Sequence, residues 1–329
     1  NSSASSATLD IAPAGDAASG AIAQKLHDAL NGQNGIAVRI VAPAQVTGDL
    51  KNGTADGALI FPPDFASQLR AGSVTLSLEL EGSNPGVAKQ VQGMVSLLVN
   101  GIAASAPSAN PNTPHIAIAP AQYLYGGPQF TPTDALAPLF IGLFSFFFVF
   151  LLTSVAFLRE RSQRTIERLL VAPLNRTELV LGYVVGFTLF ALAQSLVILL
   201  YVINVLQVHF HGNLALLFLV TALLTIGGVN MGIFVSAFAR NELQVVQFIP
   251  LLLVPQVLLG GLFFPVKTLP VVLHQLAYIM PLTYANFALK DVMIKGFGIG
   301  DIWPDLAFLV GFAVLMVLGA AFSLRQDRV

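Results

Sequence analysis

The chain has 329 residues, of which 55% are hydrophobic and only 10% are charged. Soluble domains carry about 25% charged residues, so much of this chain's surface cannot face water. It contains no cysteine, which excludes disulfides, cysteine zinc sites and thiol nucleophiles. Its formal net charge is −1, which argues against a nucleic-acid partner because such proteins carry basic surfaces.

Residues 1–133 read as a water-soluble domain in which short apolar runs alternate with helical patterns, as in an α/β fold. The predicted strands are Ala7–Ala12, Ile36–Val41, Gly57–Phe61 and Val74–Leu80. The predicted helices are Asp16–Leu30, Val46–Asn52, a segment from Pro62 to near Gly72, and Asn84–Ala104. Ala106–Pro132 is rich in Pro, Ser, Asn and Thr, which predicts a linker or an extended surface loop.

Residues 134–329 read as a transmembrane domain. Five apolar stretches lie at about 136–158, 179–206, 214–238, 245–264 and 302–324. A helix of about 20 apolar residues crosses roughly 30 Å of hydrocarbon, so each stretch is long enough to span a bilayer. A very hydrophobic soluble core is the alternative, but buried soluble helices rarely stay apolar for so long.

The arginines predict the orientation of these spans. If the spans alternate, one side carries Arg159, Arg161, Arg164, Arg168, Arg176, Arg240, Arg325 and Arg328, and the other short loops carry Lys267, Lys290 and Lys295. The positive-inside rule places the arginine side in the cytoplasm. We therefore expect a multi-pass protein of a bacterial inner membrane, with residues 1–133 outside and the C-terminus inside. That topology also predicts a further span before Asn1.

The segment Arg159–Glu178 reads RERSQRTIERLLVAPLNRTE and predicts a helix over about 159–173. Ile166, Leu169 and Leu170 form an apolar strip at helical spacing, and such a helix can lie at the membrane interface with its arginines near headgroups. A solvated linker that obeys the positive-inside rule is the simpler interpretation, and composition alone leaves both open.

This segment resembles the signature of type-2 ABC transporter permeases, E-R-x-x-x-T-x-E-x-L-x-x-x-P. The matching residues are Glu160, Arg161, Thr165, Glu167, Leu169 and Pro173. A second resemblance lies in Gly261-Leu-Phe-Phe-Pro265, Leu269-Pro270 and Pro281-Leu-Thr-Tyr284, which is similar to the family's outer segment between its last two spans. The order of an outer domain, five spans and a short tail also resembles exporter-type members of the family.

The resemblance implies a half-transporter. Two permease copies would form the pathway, and two copies of a separate cytoplasmic ATPase would bind ATP and Mg²⁺. The coupling residues would be Glu160, Arg161, Arg164, Thr165, Glu167, Leu169 and Pro173. The chain has no G-x-x-x-x-G-K-[ST] loop of its own, so we expect a permease subunit and not an enzyme, with no cofactor in this chain.

Polar groups inside the spans are few and are costly in lipid unless they face other helices or a cavity. Interhelical hydrogen bonding is the simpler role. The pathway candidates are Gln194, Asn230 and Gln247, which lie away from the span ends. Gly227, Gly228 and Gly232 predict close helix packing. Phe144, Phe146, Phe147, Phe148 and Phe150 suit a lipid-facing or dimer surface, with a hydrophobic substrate wall as the alternative.

The region of about 265–301 is too long for a tight turn and predicts a re-entrant pair of helices, Val271–Ile279 and Tyr284–Ile294. In the resembled family this region closes the outer exit, so the gate candidates are Phe264, Pro265, Pro281 and Tyr284. His209 and His211 alone do not make a zinc site, so no metal site is expected. The acidic residues of the outer domain are expected on its solvated surface.

The leading hypothesis is an ATP-driven exporter that moves a hydrophobic or amphiphilic molecule, such as a drug, an antibiotic or a lipid, out of the cell. The spans carry no acidic or histidine group near their middles, which disfavours a proton-coupled carrier. A non-transporting surface protein, phage-receptor-like or signalling, remains the alternative. A membrane-embedded enzyme is a third reading, which the lack of a catalytic constellation disfavours.

Overall fold

The computed structural model describes residues 7–30, 36–105, 115–162, 176–261, 266 and 269–326. The chain divides into two compact units, Asn1–Ala135 and Leu136–Val329. They are called the N-terminal unit and the membrane unit below.

In its described residues, the N-terminal unit contains a six-stranded sheet and four helices. The strands are β1 (Ala7–Ala12), β2 (Ile36–Ile40), β3 (Gly57–Ile60), β4 (Ser73–Leu80), β5 (His115–Ile118) and β6 (Gln122–Tyr123). The helices are α1 (Ala17–Leu30), α2 (Pro43–Lys51), α3 (Phe65–Arg70) and α4 (Pro85–Ser105). The start of α2 at Pro43 fits the preference of proline for the first helical turn.

The sheet order is β2-β1-β3-β4-β5, with β6 also paired to β4. β1 is parallel to β2 and β3, whereas β4 is antiparallel to β3 and parallel to β5 and β6. Alternate residues of a strand face opposite sides. Leu9 and Ile11 therefore join the core under α1, α3 and α4, whereas Ala12 packs against α2 on the other face.

Two features of this unit correct the sequence interpretation. The segment expected to be a linker or loop contains β5 and β6, which extend the sheet beside β4; residues 106–114 lie outside the described residues. These strands have four and two residues, too short for a period-2 pattern to stand out. Only their partner strand defines them.

The second correction concerns Asp10, which was expected on the solvated surface but is 0% exposed. Arg39 lies opposite Asp10 in the β1–β2 register. Its Nε donates to Oδ1 of Asp10 at 2.8 Å and its Nη2 donates to Oδ2 at 2.9 Å. Burial raises the pKa of Asp10, and the hydrogen bonds and positive charge of Arg39 offset part of that rise.

The membrane unit contains seven helices among its described residues, of which α5 begins in the N-terminal unit. They are α5 (Pro132–Ser162), α6 (Arg176–Asn204), α7 (Leu214–Ser236), α8 (Glu242–Leu259), α9 (Val271–Ala277), α10 (Pro281–Lys295) and α11 (Trp303–Gln326). Five of the helices in the described residues are long and apolar enough to span a membrane: α5, α6, α7, α8 and α11. The five spans expected from the sequence are confirmed. The fourth, α8, begins at Glu242 and not at about residue 245, and it ends at Leu259 and not at about residue 264.

Helix α7 is largely buried and packs against α6, α10 and α11. A Cβ at Gly227 would lie 2.5 Å from Cδ1 of Phe312 on α11, and a Cβ at Gly228 would lie 3.3 Å from Cδ2 of Phe146 on α5. A Cβ at Gly232 would lie 3.1 Å from the Phe150 carbonyl oxygen. The expected use of these glycines for close helix packing is confirmed.

The phenylalanines of α5 divide between two faces of the helix. Phe146 and Phe150 are fully buried and stack with their ring centroids 5.9 Å apart. Phe140, Phe144 and Phe148 are 40%, 41% and 47% exposed and form a ladder with centroid separations of 5.9 and 5.8 Å. The buried pair therefore packs inside the unit, and the exposed ladder is what could meet lipid, a second copy or a substrate.

The Asp10–Arg39 pair gives a stability prediction. Replacing Arg39 with leucine leaves the buried carboxylate of Asp10 without its main donor, so we expect a loss of about 2 kcal/mol in the N-terminal unit at pH 7. That figure is below the usual cost of breaking a buried pair because the Arg39 side chain is 42% exposed. The readout is hydrogen exchange of the β1 and β2 amides in the full chain.

The same variant should respond to pH in a defined direction. The folded-state pKa of Asp10 already lies above its ordinary value of 3.8, so the folded state binds this proton more tightly than the unfolded state. Stability from this group is therefore gained as pH falls toward 3.8, and the deficit of R39L should shrink. The matched control is R70L, which replaces the exposed arginine at the end of α3. An equal deficit in both variants would contradict this account of the pair.

Candidate functional site

The helix ends that carry Arg159 and Glu242 form the first candidate site, here called the arginine end. Nε of Arg159 on α5 donates to Oε1 of Glu242 on α8 at 3.0 Å, and Nη2 donates to Oε2 at 3.2 Å. Both side chains are about half exposed, at 55% and 51%. An exposed pair of this kind contributes roughly 0.2–1 kcal/mol, so its main effect is to fix the geometry of two helix ends.

Local capping places Glu242 for this contact. Asn241 is the N-cap of α8, and its side chain accepts from the backbone N–H of Gln244 at 2.8 Å. The side chain of Gln244 accepts in return from the backbone N–H of Arg240 at 2.8 Å. This reciprocal arrangement is close to a capping box. Glu242 lies in the first turn, where a negative charge is favoured by the helix dipole.

The next residue of α5 makes a contact with a third helix. The hydroxyl of Tyr183 on α6 donates to Oε2 of Glu160 at 3.1 Å. The Tyr183 ring also meets Phe157 edge-on, with centroids 5.8 Å apart. Two consecutive residues, Arg159 and Glu160, thus connect the end of α5 to the starts of α8 and α6.

Most of the predicted coupling residues fall outside the part that the structure describes. Arg164, Thr165, Glu167, Leu169 and Pro173 lie within residues 163–175, and the side chain of Arg161 is also outside it. Of the predicted set, only Glu160 is described with its side chain. The coupling assignment therefore stays a prediction, and what the structure adds is the arrangement of the helix ends on either side of the segment.

The opposite end of the bundle, which carries α9 and α10, is called the hairpin end. Asn286 on α10 is 2% exposed, and its Nδ2 donates to the carbonyl oxygen of Gly260, just after α8, at 2.7 Å. A Cβ at Gly142 on α5 would lie 2.7 Å from Oδ1 of Asn286. One buried amide therefore connects α10 to the end of α8 and lies against a glycine of α5.

Two of the four gate candidates lie at the hairpin end in the described residues. Pro281 is buried at the first position of α10. The Tyr284 hydroxyl donates to the Tyr278 carbonyl oxygen at 2.9 Å, and its ring stacks on Phe308 of α11 with centroids 3.7 Å apart. Phe264 and Pro265 lie outside the described residues. The gate assignment stays a prediction, as does the re-entrant path of α9 and α10.

The three pathway candidates lie on three different helices. Asn230 on α7 is 0% exposed, Gln194 on α6 is half-buried, and Gln247 on α8 is exposed. Within the described part of the chain, no hydrogen bond joins any two of these side chains. Their shared role in a pathway therefore stays a prediction.

The donors of the polar side chains of α7 bond within their own helix, which differs from the expectation of interhelical bonding, and the buried Oδ1 of Asn230 has no partner among the described residues. Thr221, Thr225, Asn230 and Ser236 each donate to a carbonyl oxygen three or four residues earlier in α7. One polar contact in the described residues joins α7 to another helix: Ser195 Oγ on α6 lies 3.5 Å from Thr225 Oγ1. Short side chains can bond back to their own helix, which removes much of their cost in lipid.

Sequence reasoning did not identify the Arg159–Glu242 and Glu160–Tyr183 contacts. The first pair is separated by 83 residues and the second by 23. Each residue lies near a span end, where polar side chains are ordinary. A single sequence therefore gives no signal for this pairing, because it depends on which helix ends adjoin.

The comparisons with known proteins agree with this architecture. A family described as ABC-2 family transporter protein matches residues 7–322. The probable multidrug ABC transporter permease YbhS of Escherichia coli (strain K12) is 24% identical over 271 residues, covering 82% of this chain and 72% of that protein. The inner membrane transport permease YhhJ of the same strain is 31% identical over 172 residues, covering 52% of this chain and 44% of that protein.

The alignment with a eukaryotic relative covers a smaller share of that relative's length. ABC transporter G family member 20 of Dictyostelium discoideum is 29% identical over 205 residues, which cover 62% of this chain and 28% of that protein.

Five membrane-spanning helices and a family match over almost the whole chain define a multi-span transporter permease. This chain belongs to the ABC-2 family of transporter proteins. Members of that family are membrane transport subunits of ABC transporters, and the family implies an ATPase partner.

The arginine end gives a charge-exchange prediction. R159E places two carboxylates together and should speed hydrogen exchange in the first turn of α8, with little change in overall stability because the pair is exposed. The double variant R159E/E242R restores opposite charges and should bring exchange back toward the original rate. If the double variant exchanges as fast as R159E, the ion pair does not hold these helix ends together.

The hairpin end gives a separate prediction from Asn286. N286L removes the donor to the Gly260 carbonyl oxygen and should cost about 1–3 kcal/mol, the price of an unsatisfied buried acceptor. The loss should appear as faster hydrogen exchange across α10. N204L is the control, because Asn204 is exposed and donates only within its own helix, to the Leu200 carbonyl oxygen. Equal effects of both variants on α10 would refute the role assigned to Asn286.

Proposed function

We propose that this chain is the membrane-spanning subunit of an ATP-driven exporter that moves a hydrophobic or amphiphilic molecule, such as a drug, an antibiotic or a lipid. A separate ATPase binds ATP and Mg²⁺ and docks on the segment around residues 159–173. The protein lies in a bacterial inner membrane, with residues 1–133 outside and the C-terminus in the cytoplasm. Two copies form the pathway.

The observation that carries this proposal is the convergence of three helix ends beside the docking segment. The end of α5 is bonded to the start of α8 through Arg159 and to the start of α6 through Glu160. Residues 163–175 connect α5 to α6. If an ATPase moved that segment, the force would act first on these helix ends. The contacts of Arg159 and Glu160 would then transmit it to α5, α6 and α8.

The charge distribution supports the choice of cargo and of energy source. Within the described spans, ionisable side chains lie at or near helix ends, as for Arg159, Glu160, Glu242 and Asp305. A pathway between such spans presents apolar walls, which suit an apolar or amphiphilic molecule. The name of the similar protein YbhS, a probable multidrug ABC transporter permease of Escherichia coli, agrees with this cargo class.

The surface of the spans supports a partner within the membrane. Many of the large side chains on α6, α8 and α11 that are exposed in one chain are apolar, as for Leu189, Leu251 and Leu315. In a bilayer such residues contact lipid or another apolar helix. A second copy of the permease and surrounding lipid would share these faces.

The test is reconstitution of the chain with the product of a neighbouring ATPase gene. R164E reverses one charge of the docking segment and should lower ATP hydrolysis by the complex about tenfold, or ~1.4 kcal/mol of docking free energy. The chain itself should keep its thermal stability, because the substitution lies in the segment between α5 and α6, outside the spans. Hydrolysis and copurification are measured on the same preparations.

K25E is the matched control, since Lys25 is an exposed lysine on α1 and the charge change is the same. It should leave hydrolysis and copurification unchanged. Undiminished hydrolysis with R164E would refute docking at this segment. An intact chain that binds no ATPase would favour the non-transporting surface protein.

A further inference from the structure

Four polar side chains of the membrane unit are buried, yet each has an oxygen without a hydrogen-bond partner among the described residues. They are Ser145 on α5, Gln256 on α8, and Thr283 and Asn286 on α10, and they are called the polar cluster below. Buried polar atoms in native proteins are nearly always paired, either with protein or with ordered water. Four exceptions on three adjoining helices therefore need a common explanation.

Asn286 marks the place where these helices meet. Its Nδ2 donates to the Gly260 carbonyl oxygen, just after α8, and a Cβ at Gly142 on α5 would lie 2.7 Å from its Oδ1. The other members of the cluster lie one helical turn from this junction, with Ser145 three residues after Gly142, Gln256 four before Gly260 and Thr283 three before Asn286. Because residues three or four apart share a helix face, all three lie on the face of their helix that meets the junction.

The three displacements have the same direction along the bundle. Arg159 at the end of α5 meets Glu242 at the start of α8, so α5 runs toward the arginine end and α8 runs away from it. Helix α6 starts at the arginine end, so the loop that follows it lies at the far end. There the N–H of His211 donates to the carbonyl oxygen of Met293, near the end of α10, at 2.8 Å, so α10 also runs away from the arginine end. With a rise of about 1.5 Å per residue, the three side chains lie at a similar depth, roughly 5 Å from Asn286 toward the middle of the spans.

The two hydroxyls of the polar cluster differ from other buried hydroxyls of the spans. Ser154 on α5 and Ser323 on α11 each donate to a carbonyl oxygen three or four residues earlier in the same helix. This is a common way in which a short polar side chain is satisfied within a helix. Ser145 and Thr283 make no such bond in the described residues, so their hydroxyls can bond a molecule from outside the chain.

The chemistry of the polar cluster determines what can occupy it. The orphaned amide oxygens of Gln256 and Asn286 can only accept hydrogen bonds, and the amide nitrogen of each side chain already donates to a backbone carbonyl oxygen. A hydrogen-bonded occupant must therefore donate. Water can donate, is neutral, and typically makes about three hydrogen bonds in a protein interior. A cation would also suit the two acceptors, but it would bring charge into the apolar interior of the spans at a much higher cost.

We propose that the polar cluster binds ordered water, and that this water joins α5, α8 and α10 within the membrane unit. The water donates to the amide oxygens of Gln256 and Asn286 and exchanges hydrogen bonds with the two hydroxyls. Thr283 lies between the gate candidates Pro281 and Tyr284, so the water holds the first turn of α10, on which both candidates lie. The water site does not depend on the proposed exporter function.

The test is X-ray hydroxyl-radical footprinting of the full chain in phosphatidylcholine vesicles. Radiolysis converts bound water into hydroxyl radicals, which oxidise the nearest side chains even where bulk water does not reach. The buried side chains of Leu282 and Leu289 lie beside Oδ1 of Asn286, because their Cδ1 atoms are 3.3 and 3.5 Å from a Cβ placed at Gly142. Both leucines should be oxidised clearly faster than Ile233, which is equally buried but lies in an apolar cluster.

The double variant Q256M/T283V replaces two members of the cluster with apolar side chains of similar size. The loss of two hydrogen bonds to the water should lower the oxidation of Leu282 and Leu289 at least about tenfold. T221V is the matched control, because Thr221 is also buried and its hydroxyl already donates within α7. It should leave the oxidation of both leucines unchanged.

Two results would overturn the water site. In the original chain, oxidation of Leu282 and Leu289 no faster than that of Ile233 would show that the polar cluster is dry, and this comparison needs no variant to fold. Oxidation that Q256M/T283V leaves unchanged would show that the radicals come from water bound elsewhere.

Thermal stability in sodium, potassium and choline chloride separates water from a cation. A water site predicts the same unfolding midpoint for the original chain in all three salts at equal ionic strength. A higher midpoint in sodium or potassium than in choline, lost in Q256M/T283V and kept in T221V, would place a metal cation in the polar cluster and overturn the assignment of water.

Discussion

Among the described glycines of the spans, Gly227 of α7 lies closest to another span, because a Cβ there would lie 2.5 Å from the ring of Phe312 on α11. Lipid tails are as apolar as leucine, so helices in a bilayer associate through close van der Waals contact more than through the hydrophobic effect. Small residues make such contact possible, and Gly228 and Gly232 do the same against α5. The positions of the other spans, and hence of their ends, depend on how closely those spans can approach α7.

The two ends of the bundle are held by contacts of different strength. At the arginine end, Arg159 and Glu242 form an exposed pair that can break and re-form at small cost. At the hairpin end, Asn286 makes a buried hydrogen bond whose loss leaves the Gly260 carbonyl oxygen unsatisfied. In the proposed exporter, which is driven from the arginine end, this difference would let the driven end move while the far end keeps its helices in register.

Much of the fold could be predicted because it is encoded in local patterns. Strand β1 and the five spans follow from runs of apolar residues, whose period and length are visible in a short window. The buried ion pair of Asp10 could not be predicted, because it requires Arg39 to lie opposite in a neighbouring strand. For the same reason β5 and β6 were missed, and the contacts of Arg159 and Glu160 gave no signal.

The sequence by itself determined the class of protein, the spans and the segment that resembles a coupling element, since hydropathy and motif spacing belong to each segment alone. Only the tertiary structure decided which face of each helix is covered. It separated Phe146, which is buried, from Phe148, which is exposed, and it left Gly186 open while closing Gly227. The physical reason is that the rotation of a helix about its axis is set by its neighbours, and a difference of two residues along α5 turns a side chain to another face.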